Sequence, residues 1–363
     1  MDYTGFMPAM LNESGTSFRI LRSWPADPLE ARWRGCLAAS DSPTHYTAPE
    51  YFLEPSLRGK KPFAILSMIN EDVTAVLTGV HNGDRVQTGL AVRPQIAFLR
   101  HGDHSRAMKS LVAGLLKEAQ SAQLVDLFLW SDMAGMVDAR FHERRYEGVV
   151  MLDLSKGPDA LFRKFSQTRR NDIRKAVKLG VCVDVAESHD DICAFYAVYV
   201  DWARRKALPI NEEEEFQETF ALTMNRQLLL ARYEGQVIAG AVLRFFPGGV
   251  GEYAANCSLQ KTLHLRPNDL LQWRAIEWAC AEGLTKYSLG GAHLFLRKFG
   301  GEVVPTIRYR LDQSLLRRYV VGDWIAARVE ELRPLLPDQA VALGRSLRTR
   351  VEKLRTYHGR GPA

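Results

Sequence analysis

Residues 227–289 read QLLLARYEGQVIAGAVLRFFPGGVGEYAANCSLQKTLHLRPNDLLQWRAIEWACAEGLTKYSL, and their pattern decides the fold class. Gln227 to Tyr233 is apolar and strand-like. Glu234-Gly235 turns the chain, Gln236 to Phe246 returns it, and Pro247-Gly248-Gly249 turns it again into Val250 to Cys257. Turn residues sit where an antiparallel meander needs them. Pro267-Asn268 then opens a helix, with Asn268 expected to cap its free backbone N–H groups. Leu270, Leu271, Trp273, Ile276, Trp278 and Cys280 give that helix a wide apolar face, and Gly283 suits its end. Trp273 and Trp278 are five apart and cannot share one face, so one is expected in the core. A strand at Lys286 to Leu289 and the pair Gly290-Gly291 complete the unit.

The N-terminal half repeats the order. Phe63 to Met68, Val73 to Val80 and Arg85 to Val92 form a meander with an Asn82-Gly83 turn. Ser105 to Gln123 reads as a helix through Met108, Leu111, Val112, Leu115 and Leu116, and Leu124 to Trp130 as a buried strand. Two such units in register predict an α/β fold with mixed sheet, built from two tandem domains rather than one large sheet. Their expected bounds are 1–148 and 149–321, with a helical, basic tail at 322–363 broken at Pro334 and Pro337.

At 363 residues, two domains of about 150 each are what the length allows. Hydrophobic residues make up 46% and charged residues 25%, which excludes wholesale disorder. The first fifteen residues lack the basic-then-apolar pattern of a secretory signal, and no uncharged apolar run reaches the roughly 18 residues of a membrane span. The five cysteines are scattered and contain no C-x-x-C. They are expected to be reduced core thiols in a cytoplasmic protein.

The net charge is +6, from 48 basic and 42 acidic residues. Its place is Leu161 to Gly180, LFRKFSQTRRNDIRKAVKLG, which holds seven basic residues and the single acid Asp172. The remainder of the chain balances to zero. On one predicted helix, Arg170, Arg174 and Lys178 form an i, i+4 ridge whose mutual repulsion costs stability unless anions neutralise it. Asn211 and Glu212 to Glu215 read as a helix start, a cap followed by carboxylates on the positive end of the dipole.

Several chemistries are missing from the sequence. There is no G-x-x-x-x-G-K-[ST] phosphate loop and no G-x-S-x-G elbow. Gly248-Gly249-Val250-Gly251 has the setting of a turn and not of a dinucleotide fingerprint. His101 and His104 lack a further ligand set, so no metal is expected. His142 reads as a surface or capping residue.

The run RPNDLLQWRAIEWACAEGLTKYSLGGAHLFLRKFGG, at 266–301, resembles the signature of Fem-type peptidyltransferases and related acyltransferases of the GNAT superfamily. Upstream, RRNDIRKAVKLGV resembles the family's basic helix. The resemblance covers roughly residues 150 to 312, extending more weakly to the N-terminal half. It implies two tandem GNAT-like domains and transfer of an aminoacyl or acyl group from an activated carrier to an amine. Charged tRNA and acyl-CoA are the implied donors, acting as co-substrates, with no tightly bound cofactor. Implied acceptors include phosphate-bearing precursors of the cell envelope, such as those of peptidoglycan or polysaccharide, and peptides. The chain departs from the family at Ser288, where Asp is usual, and at Leu296, where a lysine steadies developing charge.

Such a transfer needs an amine held against an activated carbonyl and positive or N–H groups facing the oxyanion. It needs no protein nucleophile. Arg297 and Lys298 are therefore catalytic candidates in place of the missing lysine, and Tyr253 is a third, on the strand where GNAT domains place a base or substrate ligand. Arg170, Arg174, Lys175 and Lys178 are candidates for binding phosphates. The motifs add Asn256, Asn268, Asp269 and Phe299 as substrate-binding candidates. Bland roles compete with each: a solvated basic face for the cations, core packing for Tyr253 and Asn256. CoA-binding GNAT domains carry a glycine-rich loop before the central helix, so that backbone N–H groups reach the pyrophosphate. Gln260 to Asp269 has no glycine, which favours a carrier other than CoA. A CoA-dependent N-acetyltransferase, and an inactive GNAT scaffold binding RNA or a protein partner, are the competing functions.

Overall fold

The computed structural model describes residues 16–332. Its first half runs β1 (Thr16–Leu21), α1 (Leu29–Ala38), β2 (Lys61–Ile69), β3 (Asp72–Asn82), β4 (Arg85–Thr88), β5 (Ile96–Phe98), α2 (His104–Glu118) and β6 (Leu124–Trp130). A long strand, β7 (His142–Asp153), leads into α3 (Gly157–Lys164), α4 (Gln167–Lys178), β8 (Cys182–Val185), α5 (His189–Arg205) and α6 (Glu213–Ala221). The second meander is β9 (Arg226–Tyr233), β10 (Gln236–Phe245) and β11 (Val250–Ser258). Then come α7 (Pro267–Ala281), β12 (Lys286–Ser288), α8 (Leu294–Arg297), β13 (Glu302–Asp312) and α9 (Arg318–Leu332).

Both meanders and both crossover helices form as their sequence patterns predict. The two units do not keep separate sheets: among the described residues all strands join one mixed sheet in the order β1-β2-β3-β4-β6-β13-β7-β12-β11-β10-β9-β8, with β5 on β3 off this path, because β13 bridges the halves. The halves mirror each other. In each, a meander ends in a strand (β4 or β11) that pairs in parallel with the strand after the crossover helix (β6 or β12). Each helix buries its apolar stripe on its own half: Met108, Leu111 and Leu115 from α2, Leu271, Ala275 and Ile276 from α7.

Sequence patterning gave no sign of β13. This strand, late in the chain, returns to the centre of the sheet and pairs antiparallel with β6 on one side and β7 on the other. Its Pro305 cannot donate a ladder hydrogen bond, and the register with β7 shifts between Val304 and Thr306 to accommodate it. Gly148 sits opposite with φ +74°, where a Cβ would lie 1.9 Å from the Val304 carbonyl oxygen.

Other local expectations shift for identifiable reasons. The basic stretch expected as a single helix is two, because Phe165 is extended and Ser166 caps α4 by accepting from the Arg169 N–H. Asn268 does not cap α7: Pro267, with its preset φ, takes the first helical position and leaves Asn268 at the second. Glu212, not Asn211, occupies the cap position of α6. Among the cysteines, Cys36 and Cys257 are buried, while Cys182 is exposed. Of the expected tail, residues 333–363 lie outside the described residues, and α9 accounts for the part that is seen. Among the described residues no helix is long and apolar enough to cross a membrane.

Gly148→Ala should lower stability by roughly 3 kcal/mol, since a Cβ meets backbone at a positive-φ position. Gly83→Ala, also at positive φ but in open space, should cost about 1 kcal/mol. Urea unfolding of both variants measures the difference, and equal losses would refute the crowding at the β7–β13 bulge.

Candidate active site

The parallel pairing of β11 and β12 is short. Val250, Gly251 and Glu252 pair with Lys286, Tyr287 and Ser288, after which β11 continues to Ser258 without a partner on that side. Two features open the split. A bulge places Ala254 outside the β10–β11 register, bending β11. Gly290 turns the chain away with φ +75°, so close beneath β11 that a Cβ would lie 2.4 Å from the Tyr253 carbonyl oxygen. A cleft of about 360 Å³ results, lined chiefly by Tyr253, Asn256, Asn268, His293, Phe295 and Leu296.

Of the sequence candidates, the fold brings Tyr253, Asn256 and Asn268 together here. Tyr253 is nearly enclosed, and burial pushes its hydroxyl well above the usual tyrosine range, so it stays a neutral donor. Asn268 donates to the Ser258 hydroxyl at 3.3 Å, while its Oδ1 is enclosed without a partner. Leu296, the position at which the Fem-type resemblance implies a lysine, is buried against the cleft. Arg297 and Lys298 do not line it. Arg297 donates to the Ala292 carbonyl at 2.5 Å and pairs with Glu147 at 3.2 Å, and Lys298 is exposed. In the short helix α8 one residue is a rotation of about 100°, enough to carry Arg297 off the wall that holds Leu296. Phe299 is fully buried, packed edge-on against Phe165 and Phe295.

The basic helix divides by face. Arg174, Lys175 and Lys178 are exposed, with Arg174 over the Phe162 ring. Arg170 folds back onto the carbonyls of Arg163 and Phe165 at 2.8 and 2.6 Å, tying off the end of α3. Arg169, which sequence reasoning passed over, turns inward. It pairs with Asp269 of α7, reaches Asp172 at 3.2 Å, and stacks over Phe295 at 4.6 Å. Arg169 thus fixes a cleft wall without lining the cleft, and Asp269 acts through it. Burial raises the Asp269 carboxyl to about 6, ahead of the opposing pull of Arg169.

His293 was also missed, being a lone histidine in a loop with no spacing to mark it. It precedes α8, its ring lies 6.1 Å from that of Phe295, and it lines the cleft. Trp273 packs with Phe162 and Phe165 behind the cleft, while Trp278 packs on Phe245.

Residues 163–298 match the model of an acetyltransferase (GNAT) domain. That segment, a little over a third of the chain, is similar to a GNAT acyltransferase domain. Solved structures extend the likeness beyond that segment. FemX superimposes with a TM-score of 0.59 at 12% identity, over 78% of this chain and 96% of that one. L-PGS from Bacillus licheniformis gives 0.55 at 11%, over 86% and 98%. A tandem GNAT protein from the clavulanic acid biosynthesis pathway gives 0.51 at 11%, over 83% and 99%. At these identities the likeness is one of fold, and the fold is the Fem-like tandem GNAT arrangement. A search of curated proteins finds no match.

Asp269 supplies a pH test of the cleft wall. Its folded value, about 6, lies above its ordinary 3.8, so between the two the native state binds more protons than the unfolded one. Its contribution to stability is present at low pH and lost as pH rises through about 6. Asp269→Asn should therefore flatten the fall in melting temperature between roughly pH 4 and 6. A variant whose pH profile runs parallel to the parent's would refute the raised carboxyl.

Proposed function

We propose that this GNAT-like domain transfers an aminoacyl or acyl group from an activated carrier onto an amine, with the split between β11 and β12 as the transfer site. The lining of the cleft carries this reading. It combines a protonated Tyr253 hydroxyl, the His293 imidazole, and the amides of Asn256 and Asn268, with no arginine, lysine or carboxylate on the residues that line it. Those groups suit neutral hydrogen-bond catalysis around a carbonyl.

The acceptor arrives as an ammonium, and His293, which lines the cleft, takes its first proton. The amine nitrogen attacks the carbonyl carbon, and the bond from that carbon to the carrier's oxygen or sulfur breaks. Tyr253 protonates the leaving atom, and the second amine proton restores the phenol through solvent. Asn256 and Asn268 hold the carbonyl and its neighbours in reach. Leu296 removes the cationic route that a lysine supplies in Fem-type enzymes, so hydrogen bonds carry the charge development here.

An aminoacyl-tRNA donor fits better than CoA. The segment before α7 is a 3₁₀ turn, Gln260–Leu265, without glycine, and the N–H groups of Thr262 and Arg266 are spent on Leu259 and Leu263. A pyrophosphate finds no open cradle there. The exposed Arg174, Lys175 and Lys178 suit a phosphate backbone instead. The acceptor is an amine of cell-envelope or peptide metabolism.

Incubation with mixed charged tRNAs, or separately with acyl-CoAs, in the presence of candidate amines tests this by mass spectrometry of the products. Tyr253→Phe should lower kcat roughly 100-fold with little change in KM. Arg174→Glu with Lys178→Glu should raise KM for the tRNA donor and weaken its salt dependence. Modified amine formed from acyl-CoA alone would overturn the donor assignment. Salt-dependent tRNA binding with no transfer product would favour the inactive scaffold.

A further inference from the structure

Directly behind the cleft, on the opposite face of β11, lies a second and more strongly charged cavity. Successive strand residues point to opposite faces. Tyr253 faces the transfer cleft, whereas Glu252 faces the N-terminal half and pairs with Arg93. Arg244 of β10 reaches the same place, donating to Glu54 at 3.0 Å and lying 3.1 Å from the His45 Nε2. Arg226 donates to the other Glu54 oxygen at 2.8 Å. The rings and guanidiniums converge on Tyr46, with Arg93 at 4.6 Å and Arg244 at 5.5 Å from its centroid. The cavity holds about 260 Å³ and is lined by Tyr46, Glu54, Lys60, Arg93, Gln95 and Arg244, among others.

Two properties mark it as a ligand site. Its enclosed charges do not balance: Arg93, Arg226 and Arg244 stand against Glu54 and Glu252, leaving a surplus of one positive charge, and the exposed Lys60 adds another at the solvent side. Burial holds His45 down to about 3, so it adds none. Uncompensated charge in an enclosed space is strongly unfavourable, and an anion removes the penalty. Its hydrogen bonding is also incomplete. The Tyr46 hydroxyl and the Gln95 Oε1 belong to residues more than nine-tenths buried, and neither has a partner. Enclosed polar groups without partners are rare in folded proteins and call for one.

We propose that this cavity binds the carboxylate and adjoining N–H of an N-acylated amino acid or peptide C-terminus. The arginines and the Tyr46 hydroxyl ask for an anionic acceptor, while the Gln95 carbonyl oxygen asks for a donor. A carboxylate next to an amide meets both requirements with donor and acceptor on separate groups, whereas a phosphodiester has no donor and a free phosphate carries its only donor on the same phosphorus as its acceptors. The volume lies below the roughly 300–1,000 Å³ that encloses drug-sized ligands, so a small polar end fits and a nucleotide does not. Because β11 separates this cavity from the cleft, the site is distinct from the transfer site and does not depend on which donor the cleft takes.

Calorimetric titration of the full chain with N-acetylglycine, acetate and inorganic phosphate, at one pH and ionic strength, tests the assignment. N-acetylglycine should bind saturably and more tightly than acetate. Gln95→Leu should weaken N-acetylglycine roughly fivefold and leave acetate unchanged, consistent with loss of one net hydrogen bond. Tyr46→Phe should weaken both ligands by a similar factor. Neither the Tyr46 hydroxyl nor the Gln95 Oε1 carries a charge or a hydrogen bond in the free protein, so both variants should melt close to the parent. Tyr253→Phe, on the other face of β11, should bind N-acetylglycine as the parent does. Tighter binding of phosphate than of N-acetylglycine would overturn the ligand class. Absence of saturable binding, or binding untouched by both variants, would overturn the site.

Discussion

The return of β13 to the middle of the sheet is the constraint on which the rest of this molecule depends. The strand fills the gap between β6, which belongs to the first half, and β7, which leads into the second. Without it each of those strands would keep an open edge, a liability that folded sheets avoid. The packing is reinforced by charge. Arg310 makes a two-pronged bond to Asp126 of β6 at 2.7 Å on each arm, and Arg308 and Arg310 both meet Asp323 of α9. Planar guanidiniums suit such paired recognition. One late segment therefore joins the two halves and anchors the helix that follows it, and the faces that β10 and β11 turn toward the first half keep a fixed relation to it.

Within that frame, the cleft exists because a parallel pair is allowed to come apart. A fully paired β11 and β12 would leave no donors or acceptors free. The bulge at Ala254 and the positive φ at Gly290 end the pairing after three residues, and Arg169 braces the wall that this leaves exposed. A buried arginine shared by two carboxylates contributes little net stability, but removing one partner of such a pair typically costs about 3–5 kcal/mol. Arg169 therefore sets position more than it adds stability, holding α4, α7 and the Phe295 wall in one arrangement.

How much of this was legible in the sequence depends on range. Hairpin turns such as Asn82-Gly83 and Glu234-Gly235 act over a few residues, so both meanders, both crossover helices and the tandem arrangement could be read directly. The strand β13 could not, because Pro305 interrupts its pattern and its partners lie far away in the chain. The cleft was half legible. Tyr253, Asn256 and Asn268 follow from the strand and helix that carry them. Arg169 could not be told from Arg170 by composition, since only the rotation of one helical step sends the first to Asp269 and the second to backbone carbonyls. Arg93 and Glu252 are 159 residues apart, and nothing local in the sequence pairs them.

The overall charge takes on a different meaning once side chains are placed. In sequence, the surplus of six belonged to Leu161–Gly180 and the rest of the chain cancelled. In space, two of those seven cations are spent inside the protein, Arg169 on carboxylates and Arg170 on carbonyls, and the exposed face is smaller than the count implied. The cancelling remainder is not uniform either. Between the halves, cations outnumber carboxylates in an enclosed volume, a place where low polarisability makes each unpaired charge matter more than at the surface. A surface surplus is met by water and salt at little cost, whereas an enclosed one demands a specific counter-charge. The enclosed surplus is thus the more selective of the two basic features, although the sequence displays only the other.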